Sequence, residues 1–313
     1  MGASSTPGGR ARASIAVVIP AGDAPPTLDR CLAALAAGER QPDETVVQSE
    51  PAGAGPARAR NAGAARSDAE LLVFVDSDVE VHPDALARIE RHFAADPGLA
   101  AVFGAYDQEP AAPGLTSRFR NLLHHHVHAS SAGEAETFWA GLGAIRRDSF
   151  EAVEGFDEAR FPRASIEDID LGMRLRGDGH RILLDPAISG RHLKTWTPLS
   201  MVRTDFSRRG VPWMRLVLRE SRGRTALNLG WRHRFGALAS ALLVIAVLAR
   251  RPRASLAALL FLAVLNRDLY ALLARRGGPP LLLAGIGLHV LHQLTAIAAG
   301  TAAIAANLRE GRR

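Results

Sequence analysis

Apolar residues gather first in a short β-branched run, Ser14 to Ile19, that stops at Pro20. They then recur at helical spacing from Leu28 to Leu35, behind Thr27 as a helix-capping residue. The alternation repeats: Glu44 to Val47 reads as a strand, Pro51 to Pro56 as a Gly/Pro-rich loop, Arg58 to Arg66 as an Ala-rich helix and Leu71 to Val75 as a fully apolar strand. Strands alternating with helices need right-handed crossovers, which predicts an α/β fold with a mostly parallel sheet covered by helices on both faces. Such sheets bind ligands outside the carboxyl ends of their strands. Farther along, Ala100 to Phe103 predicts a strand and Leu115 to Ala129 a helix. Ile166 to Arg176 predicts another helix, and Ile182 to Leu184 a short strand ended by Asp185-Pro186.

Beyond Arg234 the pattern changes. Three apolar stretches follow, Phe235 to Ala249, Ala254 to Leu265 and Leu281 to about Leu308. Only the last comfortably exceeds the roughly 20 residues of a spanning helix. The first two read as tilted spans or as a re-entrant pair, and their connector Arg250 to Arg253 favours the cytoplasmic side, where positive loops prefer to lie. The alternative is a buried helical hairpin in a soluble protein. The expected organisation is a disordered tail (1–13), a catalytic domain (14–234) and a membrane region of two or three helices (235–313).

Composition narrows the partners. A net charge of +6 over 313 residues suggests an anionic surface. However, Lys194 is the only lysine, the arginines are spread along the chain, and no basic block is interleaved with aromatics. An anionic membrane fits better than nucleic acid. Cys31 is the sole cysteine, so an intrachain disulfide and a cysteine metal cluster are both excluded, consistent with a reducing compartment. Met1 to Arg12 holds no apolar run of the secretory type, so the catalytic domain is expected to face the cytoplasm from the cytoplasmic membrane. Met1-Gly2 with Thr6 meets the loose myristoylation pattern, for which a disordered tail is the simpler reading.

The chemistry centres on Asp76-Ser77-Asp78, two carboxylates one residue apart at the end of an apolar strand. Hard oxygen ligands suit Mg²⁺ or Mn²⁺, and such an ion neutralises a diphosphate. The bland alternative is a strand-ending turn. A haloacid-dehalogenase-type phosphatase would want this pair on its first strand, whereas here it ends the third. Downstream, Glu167 and Asp170 share one face of their helix while Asp168 points about 100° away from Glu167, so one carboxylate can enter a site while the others brace the helix. Among His124, His125, His126 and His128, only His124 and His128 share a face, which predicts an interfacial or acceptor-side helix rather than a second metal site.

The ordered set Ile15 to Pro20, Ala59-Arg60-Asn61-Ala62-Gly63, Phe74 to Asp78, the loop Phe138 to Ala144, Gly155-Phe156-Asp157-Glu158 and Glu167-Asp168 resembles the family 2 inverting glycosyltransferases of GT-A fold, over about residues 14 to 215. The resemblance implies that Pro20 and Ala21 line the nucleotide site and that Arg60 holds the donor. It also implies that Trp139 and Gly141 border the donor site, that Asp76 and Asp78 engage metal and diphosphate, and that Asp168, with Glu167 beside it, supplies the catalytic base. His192 is then the added metal ligand. The sequence departs from the family where an acidic residue often follows the second strand; here Gln48 or Glu50 takes that place, and Asp23 stands near a position often held by Asn. Trp196, Arg208, Arg209 and Trp213 loosely resemble the Arg and Trp placed over the donor and acceptor channel.

The expected function is transfer of a sugar, with inversion, from a nucleotide diphosphate donor to a lipid-linked or envelope acceptor, with a divalent cation. The alternatives are a processive polysaccharide synthase, for which Arg208-Arg209-Gly210-Val211-Pro212-Trp213 is a poor motif match, and a non-catalytic nucleotide-sugar-binding membrane protein.

Overall fold

The computed structural model describes residues 12–22, 25–49, 53, 55–219 and 230–310. Residues 1–11 of the expected tail lie outside the described residues, as do Asp23 and Glu50. The chain begins in the predicted order: β1 (Ile15–Pro20), α1 (Leu28–Ala36), β2 (Glu44–Gln48), α2 (Pro56–Ala64) and β3 (Leu71–Val75). Thr27 takes the N-cap position of α1, but its side chain makes no capping hydrogen bond. The apolar runs of β1 and β3 are continuous because both faces of the sheet are covered. Ala16, Val18, Leu72 and Phe74 feed one core, and Ile15, Val17, Ile19, Leu71, Val73 and Val75 feed the other.

The domain continues through β4 (Val79–Val81), α3 (Ala85–Ala95), β5 (Leu99–Tyr106), α4 (Leu115–Ala129), β6 (Gly133–Glu134), β7 (Leu142–Arg146), α5 (Arg147–Ala152), α6 (Glu167–Gly177) and β8 (Arg181–His192). It closes with α7 (Pro198–Arg203), a π-helix (Thr204–Gly210) and α8 (Val211–Arg219). The sheet is mixed, in the order β2-β1-β3-β7-β5-β8-β4, with β6 added on β8. Pairs β1–β2, β1–β3 and β5–β8 are parallel, while β7 enters antiparallel between β3 and β5.

Two expectations are corrected here. The segment Phe138 to Ala144 is only partly a loop, since Leu142 starts the central strand β7. Gly143 masks that strand in sequence, yet an added Cβ there would lie 2.6 Å from the Phe138 ring, so packing demands the glycine. Likewise, β8 does not stop at Asp185-Pro186. Its register against β5 shifts between the Phe103 and Ala105 pairings, and this irregularity lets the strand run past the proline to His192.

Pairings Val75 with Leu142 and Tyr106 with Gly190 bring the ends of β3, β5 and β8 and the start of β7 to one edge of the sheet. The ends of β1 and β2 join the same edge through their parallel pairing with β3.

Three helices follow: α9 (Trp231–Leu248), α10 (Pro252–Leu265) and α11 (Arg267–Glu310), the last broken at Gly278 (φ 64°) before Pro279-Pro280. By length and composition α9 and α11 are long and apolar enough to cross a membrane, whereas α10 is shorter. Large apolar side chains stay exposed on them, with Leu248 78% and Leu283 71% accessible. The inner faces are not separate from the α/β domain. Phe119, Leu122, Trp196 and Met201 share one core with Leu262, Leu269, Leu273 and Leu281.

Candidate active site

The turn after β3 is built by backbone hydrogen bonds. Asp76 N–H donates to the Gly141 carbonyl at 3.0 Å, and Val79 N–H donates to the Asp76 carbonyl at 2.9 Å. This ties the Asp76-Ser77-Asp78 turn to the start of β7 at the ligand edge. A Cβ at Gly141 would lie 2.3 Å from the Trp139 ring, so only glycine lets that indole lie across the chain.

Behind the turn stands Arg60, on the buried side of α2 and 4% exposed. Its guanidinium donates to Asp76 Oδ1 at 2.7 Å and to Glu167 Oε1 at 2.9 Å. Burial disfavours its charge, but Asp76, Glu167 and Asp168 outweigh that and keep it protonated. Next to it, Asn61 donates to the Phe156 carbonyl at 2.8 Å and accepts from Phe156 N–H at 2.9 Å, locking Gly155-Phe156 against α2. Two motif segments far apart in sequence therefore form one unit.

On α6 the three acids separate as helix geometry predicts. Glu167 is buried, its second oxygen accepting from Ser165 N–H at 2.8 Å, and Asp170 is buried between Arg160 and Arg174, at 2.8 Å from each. Asp168 is the acid without an arginine partner among the described contacts. One of its oxygens accepts from Ala140 N–H at 3.3 Å, the other from Ile169 N–H at 2.9 Å. Burial, and then the charge of Glu167, push its carboxyl up to about 6. Asp76 is also pushed up, by burial first, with Arg60 opposing and Asp78 adding to the rise.

Asp78 faces His192, whose Nε2 stands 3.6 Å from Oδ2. Burial opposes its ionisation, yet the hydrogen bond and charge of His192, with Lys194 behind, hold the carboxyl below the usual range. The His192 ring stacks on Tyr106, with centroids 4.1 Å apart and planes 12° apart. Tyr106 also meets Trp139 edge-on at 4.9 Å. Among the described residues, no group of three His, Cys, Asp or Glu side chains is already closed into a metal cage. Asp78 and His192 adjoin, carboxylate and imidazole being ligand types that suit a divalent ion, and Asp76 lies on the same turn with its side chain held by Arg60.

The histidines of α4 brace the helix. His125 and His128 bond the carbonyls of Tyr106 and Gly104, while His124 packs against Tyr106 and Trp139. Pro20 pairs in register with Gln48, and Ala21 N–H donates to the Gln48 carbonyl at 2.9 Å, so this part of the expected nucleotide site sits along the edge from Asp76. Gln48 also accepts from Arg66 at 3.2 Å.

Sequence reading missed Tyr106, because it ended that strand at Phe103. It also missed the buried Arg120 and Asp205 and the half-buried His292. Asp205 lies in the π-helix with Arg208 and Arg209, and π-turns recur at functional sites. A cavity of about 370 Å³, lined by Gln108, Arg118, Arg191 and Arg276 among others, opens between the β5–α4 loop and the break in α11.

Residues 29–153 match the model of Glycosyl transferase family 2. No curated protein matches the sequence. Among solved structures, the mannosyltransferase PcManGT from Pyrobaculum calidifontis, in complex with GDP-Man and Mn²⁺, superposes with a TM-score of 0.55 at 17% identity, covering 94% of this chain and 87% of its own. GalNAc-T7 with UDP, GalNAc and Mn²⁺ gives 0.46 at 14% identity, over 67% and 48% of the two chains. TarS from S. aureus gives 0.46 at 15%, over 91% and 90%. Residues 29–153, which contain Arg60, Asp76 and Asp78, are thus similar to the family 2 glycosyltransferases, and the sheet that carries them is of GT-A type.

Proposed function

We propose that this glycosyltransferase takes a sugar from a nucleotide diphosphate donor and passes it, with inversion, to an anionic lipid-linked acceptor at a membrane surface. The observation that carries the reading is Asp168, a carboxylate with no arginine hydrogen-bonded to it among the described contacts, beside the Asp76 and Asp78 turn. Its carboxyl near 6 is ionised at neutral pH yet basic enough to accept a proton, as a general base requires. In the reaction the acceptor hydroxyl attacks the anomeric carbon and its proton passes to Asp168. The bond from that carbon to the diphosphate breaks on the opposite side, which inverts the centre.

Asp76, Asp78 and His192 would hold a divalent cation, which when bound supplies positive charge to the departing diphosphate. Arg60 adds no free charge of its own, because Asp76 and Glu167 consume it; it fixes both carboxylates at one spacing. Pro20, Ala21 and Gln48 border the nucleotide base, and Trp139 with Gly141 border the sugar.

Exposed leucines on α9, α10 and α11 support insertion in a membrane, because contiguous apolar surface of this kind is otherwise costly in water. Arg118 and Arg276 then bring guanidinium groups to the rim of the apolar helices, suited to an acceptor headgroup carrying phosphate, while Arg191 beside them is paired with Glu109. Mixing the full chain with a panel of nucleotide sugars and a polyprenyl phosphate, and reading the anomeric configuration of the product by NMR, tests this. Retention of configuration, or no transfer to any lipid phosphate, overturns it.

A further inference from the structure

Asp205 occupies the π-helix and is buried. Arg120 on α4 grips it with two hydrogen bonds, at 2.6 and 3.2 Å, and His292 on α11 adds a third at 2.7 Å. Burial opposes ionisation of this carboxyl, but Arg120 and then His292 bring it down to about 2. The π-helix also lies close on α11 at its far end: a Cβ added to Gly210 would stand 2.6 Å from the Ala299 Cβ. The two ends of the π-helix are therefore seated on the last helix of the chain.

From there, hydrogen bonds lead into the site. Ser165 Oγ donates to the Arg208 carbonyl of the π-helix at 2.9 Å, and Ser165 N–H donates to Glu167 Oε2 at 2.8 Å. Glu167 in turn accepts from Arg60, which donates to Asp76. A wholly mechanical anchor would need no polar contact from α11 to the buried Arg120–Asp205 pair, since apolar packing of α11 on α4 would suffice. A buried ion pair is weak evidence of added stability but is well suited to fixing one register of two surfaces.

We infer that α11 acts as a positioning element for the active site, with His292 seating the π-helix through Asp205 so that Ser165 sets Glu167 and the start of α6 for transfer. The inference rests on the glycosyltransferase reading only for its kinetic readout. It makes His292, Asp205 and Ser165 positioning residues, none of which touches the donor.

The test uses the full chain in detergent or nanodiscs. His292→Leu should lower kcat about tenfold, with the donor KM within about twofold of wild type, the size expected for a residue that modulates coupling without touching ligand. His292→Asn, which can still offer an N–H to Asp205, should restore most of that loss. Ser165→Ala should lower kcat similarly, and the double variant should fall less than the product of the two, because both cut one chain. Hydrogen exchange by mass spectrometry supplies a readout without substrate: His292→Leu should speed exchange in residues 204–210 and 165–168 while β1 and β3 stay protected. If wild type turns over no nucleotide sugar, the functional reading fails and the exchange result alone decides this inference. Exchange changes confined to α11, multiplicative kinetic effects, or a His292→Asn variant as impaired as His292→Leu would each overturn it.

Discussion

Arg60 and Glu167, 107 residues apart in the chain, meet at 2.9 Å with both side chains buried. The contact joins the helix behind the Asp76 turn to the helix that bears Asp168. It also sets a sharp stability test. Arg60→Met leaves Glu167 buried without a cationic partner, and breaking such a pair costs about 3–5 kcal/mol. Arg60→Met combined with Glu167→Gln should recover most of that stability in thermal unfolding, while donor binding, followed by calorimetry, stays weak in both. Equal instability of the single and double variants would mean that the pair is not what holds α2 to α6.

Asp168 is expected to show its role through pH. With its carboxyl near 6, the acid limb of kcat/KM should bend at about that pH, and Asp168→Asn should lose the bend together with about 10² to 10⁴ in turnover. Stability should move the other way. A carboxyl raised above its unfolded value leaves the folded state holding the extra proton between the unfolded pKa and about 6, so this group makes stability fall as pH rises through that window. Asp168→Asn removes the cost of ionisation, and its melting temperature at pH 7.5 should exceed that of wild type. A lower melting temperature with normal turnover would exclude Asp168 as the base.

Metal dependence is expected to fall on Asp78 and His192, which stand 3.6 Å apart. Donor affinity measured with Mn²⁺, with Mg²⁺ and with a chelator should fall in that last condition. His192→Ala should weaken Mn²⁺ binding by about 10- to 100-fold, on the scale seen when the groups supporting a metal site are removed. The same affinity in all three media would rule out an ion between the protein and the diphosphate.

At the membrane, the full chain should sediment with lipid and require detergent for release. Arg118→Ala with Arg276→Ala should raise the KM for a polyprenyl phosphate by about tenfold while the donor KM holds, since each charge-assisted hydrogen bond is worth about 1.5–3 kcal/mol before solvent screening. Recovery of the intact protein as a soluble monomer would remove the membrane from this account. An unchanged lipid KM would remove the arginine cleft as the headgroup site.

The local elements that sequence predicts best are those whose signal lies within the element. Leu115–Ala129 forms with the predicted bounds, and Leu71–Val75 is the apolar strand expected. Strand β7 escaped notice because Gly141 and Gly143 break its apolar pattern, and each glycine is required by a ring lying over it. The expectation that His192 ligates a metal came only through family resemblance; its neighbour Tyr106 was not legible, because nothing in the strand pattern marks the face on which the two rings stack.

Sequence by itself determined the alternation of strands and helices, the apolar C-terminal third, the turn bearing Asp76 and Asp78, and the rule that Glu167 and Asp168 face different ways, because each follows from the spacing of near neighbours. Tertiary structure alone decided which of the two adjacent acids meets Arg60 and which stays free, and which distant segments converge on Asp205. Adjacent carboxylates have the same composition and the same helix; they differ only in what packs opposite them. A buried ion pair between α4 and the π-helix, joined by a histidine of α11, leaves no periodicity in any one of them.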